Sequence, residues 1–397
     1  MSAKGEQVAP AGAGWSRAAA YGLAGLVHLV TAGLLIGALL LVVLGWGTVT
    51  QPMLGLILLG LVTQVRPRFG RPAPELPTLR REQAPALYAL LDGIADAAGV
   101  RHVDIVQLSA RFTVRVSAVG IRRELLLELG VPLWSTFTPQ QRVAAIAHEL
   151  GHFAARDIRR GLMVDMALRT LRSSAEFAGR HPSASDAAPT AIGNVRYASV
   201  AATATVRFAN RGRFADWALW IPGLVAQGVA RLLTRLTLPG ARCAEFQADA
   251  VAARIASTRA ATSALRDRRL AGAVTAEVHR LAIATRSFGR SGATPRAARE
   301  FWSSVSAHAE GLPDRLGDKA EVPGRDDMTR AAVDTPRLVT ERPGLPALSL
   351  RIARLSRAAA QPAALTLDAR AADAIEDELL DSKGLLARQV IQDCVRS

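Results

Sequence analysis

Lysine is nearly absent from this chain of 397 residues, which carries it only as Lys4, Lys319 and Lys383. The net charge of +15 therefore comes almost entirely from arginines, which are spread along the whole chain, while aromatic residues make up 5%. Nucleic-acid-binding surfaces cluster basic with aromatic side chains, so this pattern argues against a nucleic-acid partner. A basic surface facing anionic lipid fits better. The two cysteines, Cys243 and Cys394, form no framework of paired spacings; they fit a reducing compartment, or they carry little information.

Charged residues are also missing from the segment 18–46, which is long enough to cross a bilayer. A second apolar run reaches Val65 and lies near the lower length limit for a span. Basic residues precede the first run and follow the second, whereas the turn between them is uncharged. By the positive-inside rule, the sequence predicts a transmembrane hairpin at 18–65, behind a tail at 1–17, with both ends in the cytoplasm.

Two alternatives concern this membrane topology. If the second run were only interfacial, the rest of the chain would lie outside the cell. A third apolar stretch, 214–229, contains Asp216 and Pro222 and is typical of a buried or membrane-facing helix; a true span is the alternative. The hairpin interpretation predicts a multi-pass protein of the cell (plasma) membrane.

Beyond the hairpin, a Pro- and Arg-rich linker at 66–78 leads into one domain at 79–397. Short runs rich in Val, Ile and Leu predict a small β-meander, and helical periodicity prevails elsewhere, so the predicted class is mainly α with some β (α+β). A polar loop and a flexible, charged loop interrupt the domain. The predicted elements are a helix at 83–98, strands at 103–108, 112–119 and 124–129, loops at 173–194 and 314–342, and helices at 242–257 and 367–395.

The most informative motif is His148-Glu149-Leu150-Gly151-His152. On a helix, residues four apart lie on one face, so both imidazoles can reach one ion, and Glu149 can act as a base toward water there. This is the zinc-hydrolase pattern HExxH. Thr138-Pro139 and Gln141 supply an N-cap threonine, a proline at the first helical position and a capping-box glutamine. The alternative is a pair of core histidines on a buried helix.

A catalytic zinc site needs a third protein ligand and an open position. Glu245 and Asp249 stand four apart on a later helix, so they share a face. Glu245 could complete a His₂Glu site, while Asp249 could accept a hydrogen bond from a ligand histidine. A solvated acidic face is the alternative, but apolar neighbours surround the pair, and a carboxylate in apolar surroundings needs a partner for its charge.

With HELGH and the later E-x-x-x-D, the chain resembles the HtpX-like zinc peptidases, a family that includes the eukaryotic CAAX prenyl endopeptidase. The segment 74–79, the helix after it, Gly130-Val131-Pro132-Leu133 and the N-terminal hairpin also fit. The resemblance covers roughly residues 20 to 355 and is loose outside the two motifs. It implies a zincin-like domain and one Zn²⁺ per chain. It also implies ligands His148, His152 and Glu245, with Glu149 as base and Asp249 orienting a histidine.

The sequence departs from the family at two places. The family usually has a His-Pro pair before an Arg-Ile or Arg-Leu, whereas this chain has Leu345-Pro346 before Arg351-Ile352. If the family histidine stabilises the oxyanion, Arg351 or another donor must replace it; Arg351 as a surface residue is the alternative. Near the expected edge strand, Thr113-Val114 replaces the family's Asn-Ala. A strand edge can still hold a peptide by main-chain pairing.

These observations predict a membrane-anchored zinc endopeptidase that acts on peptides or proteins, with its peptidase domain at the cytoplasmic face. A role in membrane protein quality control follows from the resemblance alone. The rival hypothesis is a degenerate homologue that serves as a membrane-bound binding or regulatory protein. A structural zinc site would need a fourth ligand, and no other histidine has suitable spacing.

Overall fold

Two groups of helices and one small sheet make up a computed structural model of the chain. Contacts divide it into two units, the first within Met1–Arg68 and Asp157–Gly240, the second within Phe69–Arg156 and Ala241–Ser397. The mainly helical class with a small β component is confirmed, while the predicted domain boundaries stay a prediction. The structure describes residues 13–47, 49–65, 71–120, 122–154, 158–179, 198–287, 295–312 and 345–393.

The first unit contains the apolar helices. Its elements are α1 (Ala13–Leu44), α2 (Thr50–Val65), α6 (Ile158–Gly179) and the first part of α7 (Ala198–Ala256). Small residues such as Ala24 and Ala167 pack at its core. Within the described residues, Ala18–Leu44 is the single stretch long and apolar enough to cross a membrane, and most of it is exposed; the second helix offers only the shorter apolar stretch Thr50–Gly60. Two helices thus stand where the hairpin is predicted.

The sheet in the second unit has four strands in the order β1-β2-β4-β3. β2 and β4 are parallel neighbours, so the predicted meander, in which successive strands pair, is wrong in its order. The reason is physical: β2 is buried along its whole length, so its apolar run indicates a central strand and not which strand lies beside it. Thr78, predicted as linker, pairs with Gln107. The strands are β1 (Thr78–Leu79), β2 (Ile105–Ser109), β3 (Val114–Val119) and β4 (Glu124–Gly130).

Strand β4 leads directly into the helices that carry the motif. After α4 (Val131–Thr136), α5 (Pro139–Ala154) carries HELGH. The backbone N–H of Thr138 donates to Gln141 Oε1 at 2.8 Å, which is one half of the predicted capping box. Gln140 Nε2 donates to the carbonyls of Ala256 and Leu365 at 3.0 and 2.7 Å, which ties the start of α5 to two later segments.

Later helices complete the second unit. Their bounds are α8 (Thr258–Asp267), α9 (Ala271–Ser287), α10 (Pro295–Glu310), α11 (Leu348–Arg357) and α12 (Ala369–Asp393). The predicted helix at 242–257 is the end of α7, and the predicted C-terminal helix is α12. The loop predicted at 173–194 is wrong for 173–179, where the helix formers Ala175, Glu176 and Ala178 let α6 continue, and its remainder lies outside the described residues. The loop at 314–342 also lies outside them.

Helix α12 caps helix α3 (Pro85–Ala98) from the far end of the sequence. The N-cap residue Ala84 has no capping side chain, and instead Glu378 accepts the backbone N–H groups of Ala86 and Leu87 at 2.7 and 2.9 Å. A carboxylate at a helix N-terminus satisfies unpaired donors and complements the helix dipole. Sequence periodicity could not reveal this contact because its partners are 292 residues apart.

We expect Glu378→Ala to destabilise the second unit by about 1 to 2 kcal/mol, because two N–H groups lose their acceptor. The thermal unfolding midpoint of the detergent-solubilised protein should fall by several degrees. Asp377→Ala, on the exposed neighbouring residue of α12, is the matched control and should leave the midpoint unchanged. Equal midpoints for the two variants would refute the capping role.

Candidate metal centre

Close contact between α5 and the end of α7 creates the site. Gly151 lies inside HELGH, and a Cβ there would stand 3.0 Å from Ala248 Cα and 3.1 Å from Val251 Cβ. Its lack of a side chain therefore lets the two helix backbones approach. Ala248 is fully buried at this crossing. The small residues at the crossing bring the motif histidines against the helix that carries Glu245 and Asp249.

Three predicted ligands converge at this crossing. Glu245 Oε2 lies 3.6 Å from His148 Nε2, and Glu245 Oε1 lies 3.6 Å from His152 Nε2. The two imidazole rings have centroids 4.8 Å apart and stand nearly perpendicular. One ligand atom from each of the three residues lies within 4.8 Å of the others, and within the described parts of the chain this is the one such group of His, Cys, Asp or Glu side chains.

These distances suit a zinc ion. Two ligands bound tetrahedrally at about 2.0 to 2.1 Å lie roughly 3.4 Å apart, close to the 3.6 Å separations found here. Two imidazoles and a carboxylate are also the donor set of one kind of catalytic zinc site, in which the fourth position stays open for water or substrate. His148, His152 and Glu245 therefore fit the ion that the motif predicts.

Asp249 lies behind His148. Its Oδ1 is 3.0 Å from His148 Nδ1, so Nδ1–H can donate to it and leave Nε2 without a proton. Nε2 faces Glu245 and lies 3.3 Å from Nη2 of Arg351. Asp249 is buried, with 3% of its surface exposed. Burial alone would raise its pKa, but hydrogen bonds from Arg351 and His148 hold the pKa of this carboxyl well below its usual range.

Arg351 is the main partner of Asp249. Its Nε and Nη2 donate to the two carboxylate oxygens of Asp249 at 2.8 and 2.6 Å, and its Nη1 lies 3.0 Å from Glu245 Oε2. Burial opposes ionisation of Glu245, yet its contact with His148 and the charge of Arg351 lower its pKa to about 2. Arg351 is 6% exposed, so it is not a surface residue. Its contacts favour holding two carboxylates in place over the predicted oxyanion role.

Glu149 stands on the same helix as the two histidines, with about a fifth of its side chain exposed. Its Oε1 lies 3.8 Å from Nη2 of Arg268, a residue in the short 3₁₀ turn after α8. Sequence reasoning missed Arg268. The sequence did indicate that position 268 faces inward, because the apolar residues Ala261, Ala264 and Leu265 recur with helical spacing and 268 is the next position on the same face.

Strand β3 forms an edge of the sheet, since among the described residues it pairs with β4 alone. It begins at Val114, where the family pattern and this chain differ. The backbone N–H of Gly130 donates to the Thr113 carbonyl at 2.7 Å, and a Cβ on Gly130 would meet the Arg111 carbonyl at 1.9 Å. Gly130 thus permits a tight backbone crossing where β4 ends and the helices begin.

An HExxH helix crossed by a glutamate-bearing helix, in a mainly helical domain with a small sheet, is an arrangement typical of zinc-dependent peptidases. The sequence model of peptidase family M48 matches residues 83–357, which is more than half of the chain, and the chain therefore belongs to that family. Membership confirms the predicted resemblance to HtpX-like and CAAX prenyl endopeptidases. Neither a curated protein nor a solved structure matches the sequence.

Proposed function

We propose that this protein is a membrane-anchored zinc endopeptidase. Family membership makes it a zinc metallopeptidase with protein or peptide substrates. The observation that carries the finer proposal is the convergence of His148, His152 and Glu245 next to Glu149. A bound zinc ion would supply a Lewis acid for the scissile carbonyl and lower the pKa of a water molecule. One zinc per chain follows from one such cluster in the described residues.

The chain's own residues would then perform the proton transfers. Glu149 takes a proton from the attacking water as its oxygen bonds to the carbonyl carbon, and later passes that proton to the amine nitrogen as the C–N bond breaks. Asp249 holds the His148 ring through Nδ1, and Arg351 holds Asp249 and Glu245. The open side of β3 can bind an extended segment of substrate by backbone hydrogen bonds, which do not need the family's Asn-Ala side chains.

Localisation at a membrane rests on α1, whose stretch Ala18–Leu44 is long and apolar enough to span. We infer that α1 anchors the protein in the cell membrane and that α2 completes a hairpin, so that the protein is multi-pass. The arginines after Val65 support a cytoplasmic position for the peptidase domain. A substrate near the cytoplasmic face, such as a damaged membrane protein, would fit this placement.

Zinc content and proteolysis together test this function. We expect detergent-solubilised protein to contain one zinc per chain by elemental analysis and to cleave casein. Chelation with 1,10-phenanthroline should remove both zinc and activity, and added zinc should restore both, because the open site exchanges its ion. Zinc bound without any cleavage would favour the rival hypothesis of a degenerate homologue that acts as a binding protein.

A further inference from the structure

Two arginines, Arg268 and Arg351, lie close to the candidate metal centre. Nε, Nη1 and Nη2 of Arg351 all contact the carboxylates of Asp249 and Glu245. Nη2 of Arg268 instead lies 3.8 Å from Oε1 of Glu149, the residue that follows His148 in the motif. The two arginines therefore serve different carboxylates.

The position of Arg268 is fixed by its surroundings. Helix α8, which precedes it, is capped at Ser257 and buries an alanine face against α5. The adjacent Asp267 accepts a hydrogen bond from Gln141 Nε2 of α5 at 2.6 Å. Leu270, two residues later, is buried. The hydrogen bond between Asp267 and Gln141 thus ties the residue before Arg268 to the helix that carries Glu149, and the buried Leu270 fixes the chain after it.

Arg268 also lines a small, partly open pocket together with His148 and Asp249. The rest of the pocket lining consists of alanines and Leu265, and about a quarter of the Arg268 side chain is exposed to solvent. Burial lowers the pKa of Arg268 from its ordinary value, and the nearby carboxylate of Glu149 partly offsets this effect. The guanidinium stays charged at any working pH. A charge in apolar surroundings favours a nearby carboxylate as partner.

We propose that Arg268 is a positioning residue for the general base Glu149, a role that rests on the proposed peptidase function. The ion pair holds the Glu149 carboxylate in one orientation while it receives the proton of water and delivers it to the leaving amine. Arg268 itself gains and loses no proton. Misplacing a reacting group by about 1 Å can cost roughly 100-fold in rate, so orientation alone can account for a large effect.

Kinetics of Arg268→Met in the full-length, zinc-loaded protein test the proposal. We expect kcat for a fluorogenic casein-derived peptide to fall about 10- to 100-fold, with KM changed less than about threefold, because Arg268 acts through Glu149 and not on the substrate. Zinc content should stay at one per chain. Arg268→Lys should recover most of kcat, since the contact is a single N–O approach and does not need the fork of arginine.

The matched control is Arg269→Met, on the exposed neighbouring residue, which should keep wild-type kcat. A second measurement needs no activity: in metal-free protein, Arg268→Met should lower the unfolding midpoint less in a Glu149→Gln background than in the wild type. If Arg268→Met does not fold, Arg268→Gln, which keeps a neutral donor, is measured in the same way.

The results separate this proposal from the proposed function. If the wild type cleaves and Arg268→Met keeps its kcat, or raises only KM, the positioning role is wrong and the peptidase function stands. Additive midpoint losses in the double variant would also overturn it. If the wild type shows no cleavage that depends on Glu149, the peptidase function fails and the positioning role fails with it.

Discussion

Glu149→Gln is expected to lower peptide cleavage by about 10³- to 10⁴-fold while leaving one zinc per chain. The glutamine keeps the size and shape of the side chain but cannot accept a proton from water. The three predicted ligands are untouched, so metal content should not change. Elemental analysis of the detergent-solubilised protein measures its zinc content, and the initial rate of casein cleavage measures its activity.

A purity control decides how this result is interpreted. Contaminating peptidases are a common source of residual cleavage, so Glu149→Gln must be purified beside the wild type by the same steps. Glu310→Gln, an exposed glutamate on α10, makes the same chemical change away from the site and should retain full activity. Wild-type cleavage by pure Glu149→Gln would exclude Glu149 as the general base.

The metal centre was the most predictable part of the molecule because it depends on residue spacing within single helices. HELGH places both histidines on one face of a helix whatever the rest of the fold, and Glu245 and Asp249 are related in the same way on α7. What joins the two helices was less visible. Gly151 and Ala248 read as ordinary small helical residues until the crossing of α5 and α7 shows that no side chain fits between the backbones.

Long-range polar contacts were the least predictable part. Arg351 lies 102 residues from Asp249, and its burial depends on the packing of α11, which periodicity does not specify. The predicted strand order of the sheet was wrong for a similar reason. Apolar alternation indicates strands, but the order β1-β2-β4-β3 depends on which partners bury the whole of β2. Glu378 at the start of α3 is a third case, since only the fold brings α12 there.

Asp249→Asn is expected to weaken zinc binding by about 10- to 100-fold, the range found for partners that orient a ligand histidine. Two effects act in the same direction. The first is that the negative charge nearest to His148 is lost. The second is that an amide has only one oxygen to accept a hydrogen bond, so its NH₂ group must face either His148 or Arg351, which are both donors. The His148 ring therefore loses the contact that favours Nε2 as the free nitrogen.

Competition with a zinc-sensitive dye measures the affinity of Asp249→Asn, and thermal unfolding of the metal-free protein measures its stability. The buried guanidinium of Arg351 loses part of its charge partner, and hydrogen bonds between charged groups are worth about 1.5 to 3 kcal/mol each, so the midpoint should also fall. Asp373→Asn, on an exposed residue of α12, is the control for the loss of one charge. Cleavage by Asp249→Asn should recover as zinc is raised, since Glu149 is intact. Unchanged zinc affinity would show that Asp249 supports the fold and not the metal site.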